Sequence, residues 1–162
     1  MAAGTAWGKA GNNRMYFICC GRIGKSIGMA YINWSPELSM GMKDIDEQHK
    51  NFVGLINKAY EANKAGAPRG AQKEVIAGLI EYGRYHFDTE EKYFEKFSYP
   101  HTDEHKAEHA KLLAKVLVFS DKFEKGDDVA PELLAFLKDW LADHLMKHDK
   151  KYSKYFKSKG YI

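Results

Sequence analysis

The sequence predicts an all-α protein: an antiparallel up-down-up-down four-helix bundle, with an N-terminal loop or arm before it and a short C-terminal helix after it. Apolar residues recur at spacings of three and four through four separate stretches, the signature of helices that bury one face. Gly66-Ala-Pro68, Tyr99-Pro100 and Gly126-Asp-Asp128 punctuate those stretches. The connections are short, which makes consecutive helices antiparallel neighbours.

The first helix begins near Asp44 and ends before Gly66. Its stripe is Ile45, His49, Phe52, Ile56 and Ala59, and Asp44, Asp46 and Glu47 suit the positive end of its dipole. The second runs from about Arg69 to Lys96, with Val75, Leu79, Tyr82, His86, Glu90, Tyr93 and Phe97 on one face, and Tyr99-Pro100 stops it. The third starts near Thr102, a residue suited to capping. It carries His105, His109, Leu112, Val116, Phe119 and Phe123 inward. Pro131 fits the first turn of the fourth helix, which buries Leu133, Leu137, Trp140, Leu141 and His144. A short helix follows through Tyr152 to Phe156. Ahead of the bundle, residues 31–43 read as an ordered loop anchored by Trp34. Residues 1–30 hold six glycines without periodicity and read as a flexible extension, so the domain proper is expected over 31–160.

Composition excludes several classes. The chain has 162 residues, 44% of them hydrophobic and 29% charged, as a single globular domain does. A net charge of +3 is too weak and too mixed for a nucleic-acid partner. No apolar run is long enough for a membrane span. Met15-Tyr-Phe-Ile-Cys-Cys20 is short for a signal sequence and lacks a cleavage site close behind it, so a cytoplasmic location is expected. Cys19 and Cys20, the two cysteines, are neighbours and form no disulfide framework. The lysines from Lys147 to Lys159 read as a solvated face that complements helix C-termini.

Five of the seven histidines, with two carboxylates, fall in four clusters, one per helix: His49, His86-x-x-x-Glu90, His105-x-x-x-His109 and His144-x-x-x-x-Asp149. Residues four apart on a helix point the same way. His144 and Asp149, five apart, lie roughly 140° round an α-helix and cannot act as a simple one-face pair. A carboxylate at that offset suits a bridge to a second ion where the helix is ending. The clusters sit within the apolar stripes, where unpaired imidazoles and carboxylates would each cost several kcal/mol, roughly, without a metal. Imidazole and carboxylate ligands without thiolate fit iron, manganese or zinc. Two shared carboxylates favour a redox-active pair, and iron is the choice. His101 and His148 fall outside the pattern; His148, four residues from His144, competes with Asp149 as a candidate ligand but is expected to be exposed among the lysines, because a neutral imidazole cannot bridge two irons as a carboxylate can, and Met146 is expected to lie near the ligands.

The set Asp46-Glu-Gln-His49, His86-x-x-x-Glu90, Tyr99-Pro100 leading into His105-x-x-x-His109, and His144-x-x-x-x-Asp149 followed by Tyr152 resembles the hemerythrin family, in particular its single-domain bacterial members, over about residues 32–157. The resemblance implies two irons with an oxo or hydroxo bridge. His105, His109 and His144 would bind one iron, His49 and His86 the other, and Glu90 and Asp149 would bridge them. The second iron would then keep one open position, where the family holds dioxygen as hydroperoxide. Phe52, Phe87, Trp140 and Leu141 are expected to wall an apolar pocket over it.

The function expected is reversible dioxygen binding for storage or delivery, with an oxygen-using enzyme as candidate recipient and a monomer as the favoured state. The alternatives are a sensor acting through a partner and a di-iron oxidase or detoxifier of nitric oxide or peroxide. Five imidazoles against two carboxylates favour the carrier over an enzyme, because anionic ligands are what stabilise high-valent iron. The residues that orient the imidazoles cannot be named from sequence; Glu108 and Asp143 are expected to face water.

Overall fold

The computed structural model describes residues 30–162. The chain forms four long helices, α1 (Lys43–Lys64), α2 (Arg69–Lys96), α3 (Thr102–Glu124) and α4 (Ala130–His144), then a short α5 (Lys150–Ser158). They make the expected antiparallel bundle, and the linkers are five residues or fewer between α1 and α4. No described helix is long and apolar enough to cross a membrane. The extension expected over residues 1–30, with Cys19 and Cys20, lies outside the described residues except for Ala30.

Helix ends follow local chemistry. Gly66 (φ +66°) and Gly126 (φ +109°) take the left-handed conformation just past α1 and α3, where a side chain would be strained. Thr102 does not cap α3. It is the first helical residue, and its hydroxyl donates back to the Tyr99 carbonyl at 2.6 Å, so the tight turn captures it. Asp46 does more than complement the α1 dipole. Its carboxylate accepts from the Ser39 hydroxyl and the Met40 amide, both at 2.6 Å. The Ser153 hydroxyl donates to the Met40 carbonyl at 2.6 Å, and Lys150 donates to that of Ser39. The loop before α1 is thus stapled to α1 on one side and α5 on the other.

The predicted stripes of α1 and α3 are buried at every position. That of α2 is rotated. Ile76, Leu79, Gly83, His86, Phe87, Glu90 and Phe94 are buried, while Val75, Tyr82, Tyr93 and Phe97 sit at the margin. The two tyrosines flank the core because their hydroxyls need partners: Tyr82 donates to the Gln48 carbonyl at 3.2 Å and Tyr93 to Asp44 at 2.6 Å.

The largest departure lies between α4 and α5. The helix does not end after His144; it runs on through a single π turn, Leu145–Asp149, into α5. An i→i+5 turn widens the helix locally, so residues five apart come to one side. The α-helical offset of about 140° therefore does not apply to His144 and Asp149. Their Nε2 and Oδ1 atoms are 3.1 Å apart.

Candidate metal centre

The core of the bundle holds the seven expected groups and brings all of them together. α1 supplies His49, α2 His86 and Glu90, α3 His105 and His109, α4 His144, and the π turn Asp149. All are buried, with Glu90 and Asp149 at 0% exposure. Among the described residues, two clusters have metal-binding spacing: Glu90 with His105, His109 and His144, and Glu90 again with His49 and His86.

Each carboxylate divides its oxygens between the two imidazole groups. Glu90 Oε1 is 3.6 Å from His86 Nε2 and 3.8 Å from His49 Nε2. Its Oε2 is 3.1 Å from His109 Nε2 and 3.5 Å from His105 Nε2. Asp149 places Oδ2 3.4 Å from His49 Nε2, and Oδ1 3.1 Å from His144 Nε2 and 3.3 Å from His105 Nε2. Within the smaller group, His49 Nε2 and His86 Nε2 are 3.0 Å apart, two nitrogens facing one another.

These residues fit a pair of cations. Among the described residues, eight fully buried polar atoms have no hydrogen-bond partner, including Glu90 Oε2, both Asp149 oxygens, and Nε2 of His105, His109 and His144. Orphaned acceptors are costly in a core and rare without an explanation. Cations would satisfy them, and the all-nitrogen-and-oxygen donor set suits iron, zinc or manganese.

Without metal, protons take the cations' place. Burial disfavours the carboxylates of Asp149 and Glu90 alike, yet the surrounding imidazoles hold both well below the usual carboxylate range. Burial alone would lower His105, but Asp149 and Glu90 outweigh it and raise its pKa to about 9. The same opposition raises His49. His86 goes the other way, lowered to about 4 because its burial dominates. The proton on His105 stabilises the metal-free fold below pH ~6.5, and that contribution is lost as pH rises through about 9. Metal must displace it. Iron or zinc added at pH 7 is therefore expected to release protons, roughly one to two per chain, with affinity rising up to about pH 9. Calorimetry in buffers of different ionisation enthalpy reads the release; uptake without it would contradict the protonated nest.

Of the expected wall residues, Phe87 touches both groups, while Trp140 and Leu141 lie by His144 of the larger one. Phe87 stacks on His109, with centroids 3.8 Å apart and planes 9° from parallel, and lies 5.7 Å from His86. Trp140 stacks on His144 at 4.3 Å, beside the larger group. Leu141 is buried one turn before His144, and Phe52, also buried, stacks with Tyr82 at 6.0 Å. Trp34, expected only as a loop anchor, comes within 6.2 Å of His49.

Two expectations are corrected. His148 is not exposed among the lysines: it lies half-buried against His144, four residues earlier, with centroids 5.3 Å apart and rings nearly parallel. Met146 points to solvent, 51% exposed, and does not shape the site. Asp143 pairs with Lys147 at the surface as expected, and Glu108 pairs with Lys111 from a half-buried position.

The groups that orient the imidazoles are Gln48, whose Oε1 is 2.9 Å from His86 Nδ1, and Glu91, whose Oε1 is 3.3 Å from His109 Nδ1. Tyr152, fully buried, donates to Glu90 Oε1 at 2.6 Å. Burial, with Glu90 and Asp149 adding to it, raises the phenol well above its usual range, so it keeps its proton. A small apolar cavity of about 30 Å³, lined by Ala59, Val75, Leu79 and Leu133, lies at the opposite ends of α1, α2 and α4 and contains none of this chemistry.

A family model for the hemerythrin HHE cation-binding domain matches residues 40–156. The bacteriohemerythrin of Pseudomonas aeruginosa is 35% identical over 124 residues, covering 76% of this chain and 80% of that protein. The bacteriohemerythrin of Methylococcus capsulatus is 33% identical over 126 residues, covering 76% and 95%. A crystal structure of wild-type hemerythrin superposes with a TM-score of 0.72 at 31% identity, covering 77% of this chain and 97% of that one.

Proposed function

This chain belongs to the hemerythrin family, and from that premise we propose that it holds a non-haem iron pair and binds dioxygen reversibly, for storage or delivery. The observation that carries the reading is the division of both carboxylates between the two imidazole groups. One ion would not need it; two ions sharing Glu90 and Asp149 would. His105, His109 and His144 would hold one iron, and His49 and His86 the other. When bound, the iron pair supplies two electrons that dioxygen can accept and return.

The residues supply the rest. The groups are unequal, three imidazoles against two, so the smaller leaves room for an outside ligand. Phe52, Phe87, Trp140 and Leu141 would exclude water around the pair. Tyr152 holds its proton on Glu90 and fixes that carboxylate's orientation. With five neutral imidazoles and two carboxylates, the donor set does little to stabilise high-valent iron, which favours a carrier over an oxidase. The function would belong to residues 31–160, acting as a cytoplasmic monomer with an oxygen-using enzyme as recipient.

Optical spectroscopy tests it. The reduced, iron-loaded protein is expected to be colourless, to colour in air and to bleach when oxygen pressure falls. Irreversible oxidation in one cycle, with turnover of an added substrate, would favour an enzyme instead. Leu141→Ala is expected to speed autoxidation about tenfold by opening a path for water, an effect equal to ~1.4 kcal/mol in barrier. An unchanged rate would remove Leu141 from the wall.

A further inference from the structure

Each imidazole group has one member whose outer nitrogen is held by a side chain, and the two holders differ in charge. In the larger group, His109 Nδ1 faces the Glu91 carboxylate, whose other oxygen is 2.8 Å from Lys106 Nζ. In the smaller, His86 Nδ1 faces the neutral amide oxygen of Gln48 at 2.9 Å. His49 and His144 leave Nδ1 without a partner.

The partners around the Gln48 amide favour one orientation. Its nitrogen donates to Thr89 Oγ1 at 3.3 Å and Tyr85 Oη at 3.4 Å. The Thr89 hydroxyl already spends its proton on the Tyr85 carbonyl, 3.0 Å away, so toward Gln48 it accepts. The amide oxygen is therefore turned to His86 and needs a proton on Nδ1. The opposite face would put an amide N–H against Nδ1. That would drive the ring proton to Nε2, 3.0 Å from His49 Nε2, where a metal has to sit.

We propose that Gln48 is a positioning residue for the two-imidazole half of the centre: it locks His86 with Nδ1 protonated and Nε2 free, and its neutral acceptor keeps the iron there easier to reduce than an anionic one would. The proposal rests on the iron-pair reading. An N–H that donates to a carboxylate makes its imidazole a stronger donor to metal than one that donates to an amide, and such outer partners tune the metal. Glu91 and Gln48 then apply unequal push to the two irons. The sparing push falls on the half that leaves room for dioxygen, where a readily restored ferrous state is what reversible binding requires.

The test uses the full-length chain with Gln48→Glu, Gln48→Leu and Glu91→Gln. Nitrogen NMR of the metal-free protein should show His86 protonated at Nδ1 in the wild type and mixed between both nitrogens in Gln48→Leu. In iron-loaded protein, Gln48→Glu should lower the midpoint potential, by about a tenfold change in the oxidised-to-reduced ratio at fixed poise, or 59 mV for one electron. Glu91→Gln should raise it. If Gln48 only filled space, Gln48→Glu and Gln48→Leu would lose stability together and neither would shift the potential with the sign of the charge. An Nε2 proton on His86 in the wild type, or an unmoved potential in Gln48→Glu, overturns the proposal. A wild type that binds no iron overturns the iron-pair reading instead, and the tautomer measurement then decides the positioning role alone.

Discussion

Glu90→Gln is expected to reduce iron from about two per chain to about one or none, in protein folded as the wild type is. The reason is the position of its two oxygens. Oε1 is the acid nearest His86, and Oε2 lies 3.1 Å from His109 Nε2, so a single side chain serves both imidazole groups. An amide replaces one oxygen by an N–H₂ that repels a cation, and it removes the negative charge that offsets two divalent ions. The oxygen that the amide keeps could still accept from Tyr152, whose hydroxyl reaches Glu90 Oε1 at 2.6 Å, so the packing around it would survive. Asp149→Asn should act in the same way, because Oδ1 and Oδ2 likewise face different groups. Metal analysis alongside circular dichroism checks both variants. Two irons retained in Glu90→Gln would mean that the carboxylate does not join them.

Phe94→Ala should give the largest loss of stability, about 3–5 kcal/mol, against a total of about 5–15 for a domain of this kind. Phe94 is 1% exposed. Its ring centroid lies 4.7 Å from that of His105 and 5.1 Å from those of Tyr99 and Tyr152. Removing it leaves a cavity beneath a ring of the larger imidazole group and beside the tyrosine that steadies Glu90. Metal retention should therefore weaken along with the fold. Val118→Ala, on the half-exposed face of α3, should stay within about 0.5 kcal/mol. Denaturant midpoints of the metal-free proteins measure both. A Phe94→Ala loss no greater than that of Val118→Ala would contradict the packing described.

What could be read from the sequence was whatever repeats with the helical period. The α3 stripe from His105 to Phe123 and the bounds of α2 at Arg69 and Lys96 were legible because apolar spacing and breakers agree there. The seven buried acids and imidazoles were legible largely for the same reason, since nearly all lie on those stripes. The π turn was not. Leu145-Met-Lys-His-Asp149 carries no residue that marks one, and α-helical arithmetic sends Asp149 to the wrong side. His148 was set among the lysines because its neighbours were read as one solvated face, although its place four residues from His144 already puts the two on the same side. The α2 stripe was misjudged by one position at Tyr82 and Tyr93 because tyrosine counts as apolar in a pattern, yet seats its hydroxyl at the margin. Gln48 and Glu91 were invisible because a partner across a helix interface leaves no spacing within one helix. Gln48 does stand in the Asp46-Glu-Gln-His49 run, next to a metal-binding candidate, and polarity at a position flanking a stripe was its one signal.

The Mössbauer spectrum of the iron-loaded, oxidised protein tests the central claim most directly. Two carboxylates shared between unequal imidazole groups predict two distinct iron environments in equal amounts, magnetically coupled through their common ligands. A single uncoupled environment, or iron well below two atoms per chain, would contradict it.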